Sequence, residues 1–420
     1  MTDTLNVWYE HTAVGELWRN ATNQIGFGYS KSWLDESPFA VSVSLPLRED
    51  PFAPEDATAH RFFANLLPEG RFRDLIVGNL KIPDTDFDLL RAIGGDCAGA
   101  LSIVEPGSDT RDPPAYEELD DDGLKSLVLK KGHVHTQKDG TGKLPRLSLA
   151  GAQDKCPVLL RDGRFYLPRG QSASTHILKF AIRDYRNVPA YETVLTSLAK
   201  RIGLNACTVE FGYVPIDDFR HDYIAVERYD RRVTKSGDVR RLHQEDFCQA
   251  LGRGREHKYE DNDGITFAEC FRLVREVSTD PAIDTEQLLR WQIFNLVAGN
   301  SDGHAKNLSL LYSEDGALTL APFYDLVCTR AIEHIDERLA FSVAGERTPG
   351  DIRNEHWQEL AKSLNVRPRF VLNLVRDIAT RAQTEIRSVV DEFQEQHGDY
   401  AALQRVVQVV EQQCRRVLRN

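Results

Sequence analysis

The hydrophobic pattern of this chain shifts near Arg241 from mostly β-type runs, with helical runs at "ATAHRFFANLLPEGRFRDLIVGNL", "FDLLRAI" and "AYETVLTSLAKRIGL" among them, to helical runs, and that shift limits the folds open to it. Before it, short β-type runs such as "LNVWYEH", "IGFGYS", "FAVSVSLPL", "CPVLL", "RFYLP", "THILKF", "CTVEFGYV" and "YIAVERY" are separated by turn residues. After it, apolar residues recur at helical spacing in "TFAECFRLVREV", "EQLLRWQIFNLVAG", "RFVLNLVRDIATRAQTEIRSVVDEF" and "YAALQRVVQVVEQQCRRVL". A β-rich half followed by an α-rich half predicts an α+β chain of two lobes with a cleft between them. The expected segmentation is a small α+β domain at 1–105, a linker at 106–146, a β-rich region at 147–228 and a helical lobe at 229–420. The linker is marked by Pro113–Pro114 and an acidic, Gly-containing stretch.

Composition excludes several function classes. The formal net charge is −12, so direct binding of a polyanion would need a local basic face. "ERYDRR" and "CRRVLRN" are too short to provide one. No run approaches the roughly 20 apolar residues of a membrane helix, and no secretory signal is visible. Seven scattered cysteines without a C-x-x-C pair suggest reduced thiols in a cytosol. His133 and His135 lack a nearby third ligand and read as a surface strand.

Chemistry concentrates in "AGNSDGHAKNLSLLY", from Ala298 to Tyr312. Asp302, His304, Lys306 and Asn307 crowd a short loop between two apolar runs, and such loops often carry catalytic groups. A strand–turn–strand follows, then Tyr324–Asp325, so Asp325 can return beside Asn307 and Asp302. Two carboxylates and an amide suit Mg²⁺ with phosphate oxygens, and a carboxylate free of metal can take a proton from a hydroxyl. An Asp, an Asn five positions later, a hairpin and a second Asp is the order found in phosphotransferases. Kinase chemistry also requires a phosphate-covering loop and a strand lysine. "LSLAGAQDK" and Lys179 fill those places, with Glu192 as an acidic partner and Glu227, Arg228 and Tyr229 around an adenine edge. A capped turn is the plainer explanation for the polar loop, and solvent exposure for Lys179. A small-molecule kinase of the aminoglycoside or sugar type, a metal-dependent hydrolase and a non-catalytic co-repressor scaffold are the alternatives.

Seven collinear segments resemble the HipA family, the serine/threonine kinase toxins of bacterial HipBA toxin–antitoxin modules. They are "FFANLLPEG", "SLAGAQDK", "HILKF", "VERYDR", "LHQEDFCQALG", "GNSDGHAKNLS" and "PFYDL". The resemblance implies a kinase-like two-lobe fold with an extra N-terminal β-rich subdomain and a mostly helical C-terminal lobe. It implies Asp302 as the catalytic aspartate, with Asn307 and Asp325 holding Mg²⁺. It implies ATP contacts from Ala150, Gly151, Ala152, Gln153, Asp154 and Lys155, from Lys179, from Glu227, Arg228 and Tyr229, and from His304, Asn307, Tyr324 and Asp325. Ser148 matches the serine whose autophosphorylation silences these enzymes. The implied partner is a HipB-like DNA-binding antitoxin, and the implied target is an aminoacyl-tRNA synthetase such as glutamyl-tRNA synthetase. Asp154 stands where the family carries glutamate.

Overall fold

Alternating apolar residues draw the first three strands into one sheet. β1 (Thr4–Tyr9), β2 (Thr12–Arg19), β3 (Ile25–Tyr29) and β4 (Leu101–Val104) lie in the order β3-β2-β1-β4. Leu5 and Val7, and Ile25 and Phe27, are fully buried at the period-two spacing of a sheet with a core face, while Val14 and Leu17 on β2 are buried three positions apart across a register shift between β1 and β2. The computed structural model describes residues 3–36, 39–108, 113–133, 153–181, 185–261 and 263–419. It divides into two units that interleave along the chain. The first comprises Met1–Ile182, Gly212–Arg255 and Leu310–Ala317; the second comprises Arg183–Phe211, Glu256–Ser309 and Leu318–Asn420. Strands and helices are both abundant, so the chain is α+β.

"FAVSVSLPL" does not form the strand its alternation predicts. It runs as turns with one isolated bridge between Ser42 and Leu45. Its polar residues have partners elsewhere. The Ser42 hydroxyl and the Val43 amide donate to the Glu245 carboxylate, and the Ser44 hydroxyl donates to the Gln249 carbonyl at 2.7 Å. The alternation therefore reflects a contact strip on the 245–249 segment. The helical run after Thr58 likewise divides into Thr58–Ala64 and Gly70–Leu80, with Pro68 between them.

The second sheet of this unit runs β5-β7-β6-β8-β10-β9. Its strands are β5 (Ala115–Glu118), β6 (Lys155–Arg161), β7 (Arg164–Arg169), β8 (His176–Phe180), β9 (Val209–Ile216) and β10 (Phe219–Glu227). β6 and β7 form a hairpin, turning through Asp162 and Gly163, both at positive φ (51° and 73°). The linker segment contributes β5 and the helix Asp121–Leu129, whose Leu127 and Val128 pack with Cys156, Val158, Leu178 and Phe180. That packing uses one face of β8 and leaves Ile177 and Lys179 on the other.

A buried ion-pair network ties the N-terminal module to the chain after β10. Asp96 lies 2.7 Å from Arg231, 3.2 Å from Arg228 and 3.4 Å from Arg241, while Asp230 lies 2.8 Å from Arg228. Three guanidiniums around Asp96 outweigh its burial and hold its carboxyl far below the usual carboxylate range. Removing one partner would strand a buried charge, which typically costs about 3–5 kcal/mol.

The second unit is built on helices. Phe267–Val277 begins with a capping box, Thr266 accepting from the Glu269 amide and Glu269 accepting from the Thr266 amide. Pro281–Ala298 is its central helix, with Trp291, Phe294 and Val297 fully buried. Trp291 stacks with Phe323, so the segment that leads to Asp325 is anchored on this helix. Asn354–Ser363, Pro368–His397 and Leu403–Arg419 complete the unit. Among the described residues no helix is long and apolar enough to cross a membrane, and the seven cysteines are free and buried. Burial pushes the thiols of Cys156 and Cys328 up to about 12, as suits inert core residues.

Candidate active site

Gly299, at φ 67°, ends the helix Pro281–Ala298 and starts the loop that carries Asp302. The loop is fixed by main-chain contacts. The Ser301 amide donates to Thr329 Oγ1 at 2.7 Å, Thr329 Oγ1 donates to the Gly299 carbonyl at 3.1 Å, and the Arg330 amide donates to the same carbonyl. Asn300 Oδ1 accepts from the Asp302 amide, and Asn300 Nδ2 reaches Asn295 Oδ1. Gly303 presses against that helix so closely that a Cβ would stand 2.4 Å from Asn295 Nδ2. These bonds also fasten the loop to the segment just beyond Asp325.

Asp302 projects from this rigid base with its side chain 54% exposed. Oδ1 accepts a hydrogen bond from the Tyr259 hydroxyl at 2.5 Å, and His304 Nε2 lies 3.9 Å from the same oxygen. His304 and Asn307 are buried at either end of a single 3-10 turn. Asn307 Nδ2 donates to the Asp302 carbonyl at 2.8 Å, which fixes the amide and leaves Oδ1 as its acceptor atom. The Tyr324 hydroxyl donates to the Lys306 carbonyl at 2.7 Å and lies 2.9 Å from Ser309 Oγ. The next residue, Asp325, takes a left-handed backbone at φ 55°. Asp302, His304, Asn307 and Tyr324 thus belong to one hydrogen-bonded assembly in the second unit, and Asp325 follows Tyr324 directly in the chain. Asn307 Oδ1 and the Asp325 carboxylate are hard oxygen donors. One or two such ligands completed by phosphates and water suit Mg²⁺, which seldom takes an all-protein cage.

The first unit holds most of the other residues singled out in the sequence. Lys155 on β6 and Lys179 on β8 are directly cross-strand partners, so two ammonium groups share one sheet face. Ile224 stands opposite Lys179, and Pro157 and Val226 stand opposite Ile177 on that face. Like charges directly opposite one another on a sheet face repel. Lys179 is 5% exposed on a central strand, so it is not the solvent-facing edge lysine of the plainer expectation. Gln153 and Asp154 lie at the end of β8: Gln153 Nε2 and the Asp154 carbonyl both bond the Phe180 backbone. His133 does not sit on a strand; its Nε2 is 3.2 Å from Asp154 Oδ1. After β10, the Arg228 amide donates to the Thr175 carbonyl at 2.9 Å, and the Tyr229 hydroxyl bonds Gln244. The Arg228 side chain is committed to the Asp96 network. Glu227 is exposed at the end of its strand. Lys179 belongs to the first unit and Glu192 to the second, where Glu192 is buried. Ser148, Ala150, Gly151, Ala152 and His135 lie outside the described residues.

The sequence reading overlooked Tyr259. "HKYED" carries no catalytic motif, and only the folded chain brings this residue to Asp302.

Comparison with known proteins fits this assembly. Residues 5–104 match the model of the HipA N-terminal domain and residues 147–386 that of the HipA-like C-terminal domain. The chain belongs to the HipA family. The Sinorhizobium fredii protein Y4mE is 36% identical over 95% of this chain and 94% of its own length. The serine/threonine-protein kinase toxin HipA of Shewanella oneidensis is 29% identical over 93% of this chain and 90% of its own. A solved structure of HipA from Shewanella oneidensis, in complex with HipB and operator DNA, superposes with a TM-score of 0.82 at 27% identity. It covers 99% of this chain and 97% of that one. As a HipA-family member the chain is a serine/threonine protein kinase, an enzyme class that uses ATP.

Proposed function

We propose that this kinase is the toxin of a toxin–antitoxin pair and acts on an aminoacyl-tRNA synthetase in the cytosol to inhibit translation. The observation that carries the chemistry is the Asp302 loop, a half-exposed carboxylate on a backbone pinned at Gly299, Ser301 and Asn307. Asp302 takes the proton of the acceptor serine or threonine hydroxyl as its oxygen attacks the γ-phosphorus, and the bond to ADP breaks. Asn307 and Asp325 would hold Mg²⁺, which neutralises charge on the phosphates. Lys155 and Lys179 give the phosphates positive partners, and the 227–229 segment holds the adenine.

The target and regulation follow the family resemblance. Ser148, at the head of "SLAGAQDK", is the proposed autophosphorylation site. A phosphoserine there adds nearly two negative charges next to a triphosphate site, which drives the loop away and halts turnover. A HipB-like antitoxin is the proposed partner.

Incubating the purified chain with labelled ATP and Mg²⁺, alone and with each host aminoacyl-tRNA synthetase, tests this reading. One synthetase should take up label, the chain's own label should map to Ser148, and Asp302→Asn should abolish both while still binding nucleotide. General-base and positioning losses of this kind amount to about a hundredfold or more. Wild-type transfer by Asp302→Asn would remove the base assignment.

A further inference from the structure

The exposed carboxylate of Asp302 is oriented by a residue 43 positions earlier in the chain. A base on a short loop must meet the acceptor hydroxyl within a few tenths of an ångström, and an aspartate more than half exposed has several rotamers available. The Tyr259 hydroxyl donates to Oδ1 at 2.5 Å, which selects one of them and leaves Oδ2 to receive a proton.

The frame around Tyr259 is rigid enough for that task. Its ring meets the His304 ring edge-to-face, with centroids 4.9 Å apart at 88°. The preceding residue, Lys258, accepts from the Ala305 amide at 3.0 Å, joining the two loops by their backbones. Glu260 accepts from the Ser342 amide at 2.6 Å and the Ser342 hydroxyl at 2.7 Å, and its own amide donates to the Ala340 carbonyl. Ile265 closes the other side by donating to the His257 carbonyl at 2.9 Å. Gly264 packs against the Tyr259 carbonyl where any side chain would collide. Tyrosine has few rotamers, so its hydroxyl reaches the carboxylate from a nearly fixed point.

We infer that Tyr259 is a positioning residue for phosphoryl transfer: it holds the Asp302 carboxylate through Oδ1 and presents Oδ2 to the acceptor hydroxyl. This rests on Asp302 being the base. The Tyr259 hydroxyl acts on the rate of the chemical step, since it bonds Asp302, while the ring that meets His304 is a separate contact.

Tyr259→Phe keeps the ring against His304 and removes only the hydroxyl. The full chain is assayed with Mg·ATP, counting label transferred to the chain itself and to dephosphorylated casein, beside Asp302→Asn and the double variant. The expected result is a kcat lowered by about tenfold to a hundredfold, with the KM for ATP and the unfolding midpoint unchanged. Adding Tyr259→Phe to Asp302→Asn should lower the residual rate no further, because the hydroxyl then has no carboxylate to orient. An inactive Asp302→Asn beside a fully active Tyr259→Phe overturns the positioning role and leaves the base in place. An active Asp302→Asn overturns both. A lowered unfolding midpoint with matching loss of nucleotide binding marks Tyr259 as a structural tether and also overturns the inference.

Discussion

Asp325 pairs a backbone demand with a chemical one. Its φ of 55° is costly for most side chains but readily adopted by aspartate and asparagine. Asp325→Asn therefore preserves the turn after Tyr324 and removes only the charge. Nucleotide affinity measured with and without Mg²⁺ should lose most of its metal dependence in this variant, and transfer should fall on the order of a hundredfold. An unchanged response to Mg²⁺ would count against Asp325 as a metal ligand. At this scale the sequence was informative where the geometry is local. Asp302 and Asn307 stand five positions apart and are bonded to one another, so their relation was legible. Tyr259 was not, because its link to Asp302 depends on how two distant loops are fastened. Lys155 opposite Lys179 depends on strand register, which neither lysine's own neighbours specify.

At the scale of elements, the hairpin "CPVLLRDGRFYLP" and the long helices were legible from turn residues and period. "FAVSVSLPL" was misread because an alternation records what a segment touches, and here it touches the 245–249 segment. The same contact buries Glu245 almost completely. Burial raises its carboxyl from 4.5 to about 7, against the opposing pull of hydrogen bonds from Ser42, Tyr312 and Val43. Its folded-state pKa lies above the unfolded one, so the folded chain keeps a proton that the unfolded chain loses. The stabilisation is complete below about pH 4.5 and is lost as pH rises through about 7. A shift of that size corresponds to on the order of 3 kcal/mol across the window. Denaturant unfolding should therefore show stability falling from about pH 5 to about pH 8, with the slope flattened in Glu245→Gln. An equal slope in wild type and variant would exclude Glu245 as its source. His243, stacked with Phe39 and 2.7 Å from the Val41 carbonyl, is pushed down to about 4 by burial and stays neutral throughout this window.

At the scale of the whole molecule, 64 acidic residues against 52 basic ones leave a net charge of −12. DNA affinity comes chiefly from releasing counterions as lysine and arginine neutralise phosphates, and a surface of the opposite balance loses that contribution. Several arginines are also withdrawn from any such surface, since Arg228, Arg231 and Arg241 are buried around Asp96 and Asp230. The related Shewanella HipA was solved together with HipB and operator DNA, so an assembly containing DNA exists for a close structural counterpart. If this chain pairs with an antitoxin as proposed, its charge balance leaves the phosphate contacts to that partner: a basic antitoxin can bind operator DNA and the acidic kinase at once. The purified kinase alone should give no mobility shift at physiological salt, the cognate antitoxin should give one, and adding kinase should supershift it. Raising salt should weaken that complex along the antitoxin's own slope, because the kinase adds few phosphate contacts. Tight, salt-sensitive binding by the isolated kinase would instead require a basic face that its charge balance does not supply.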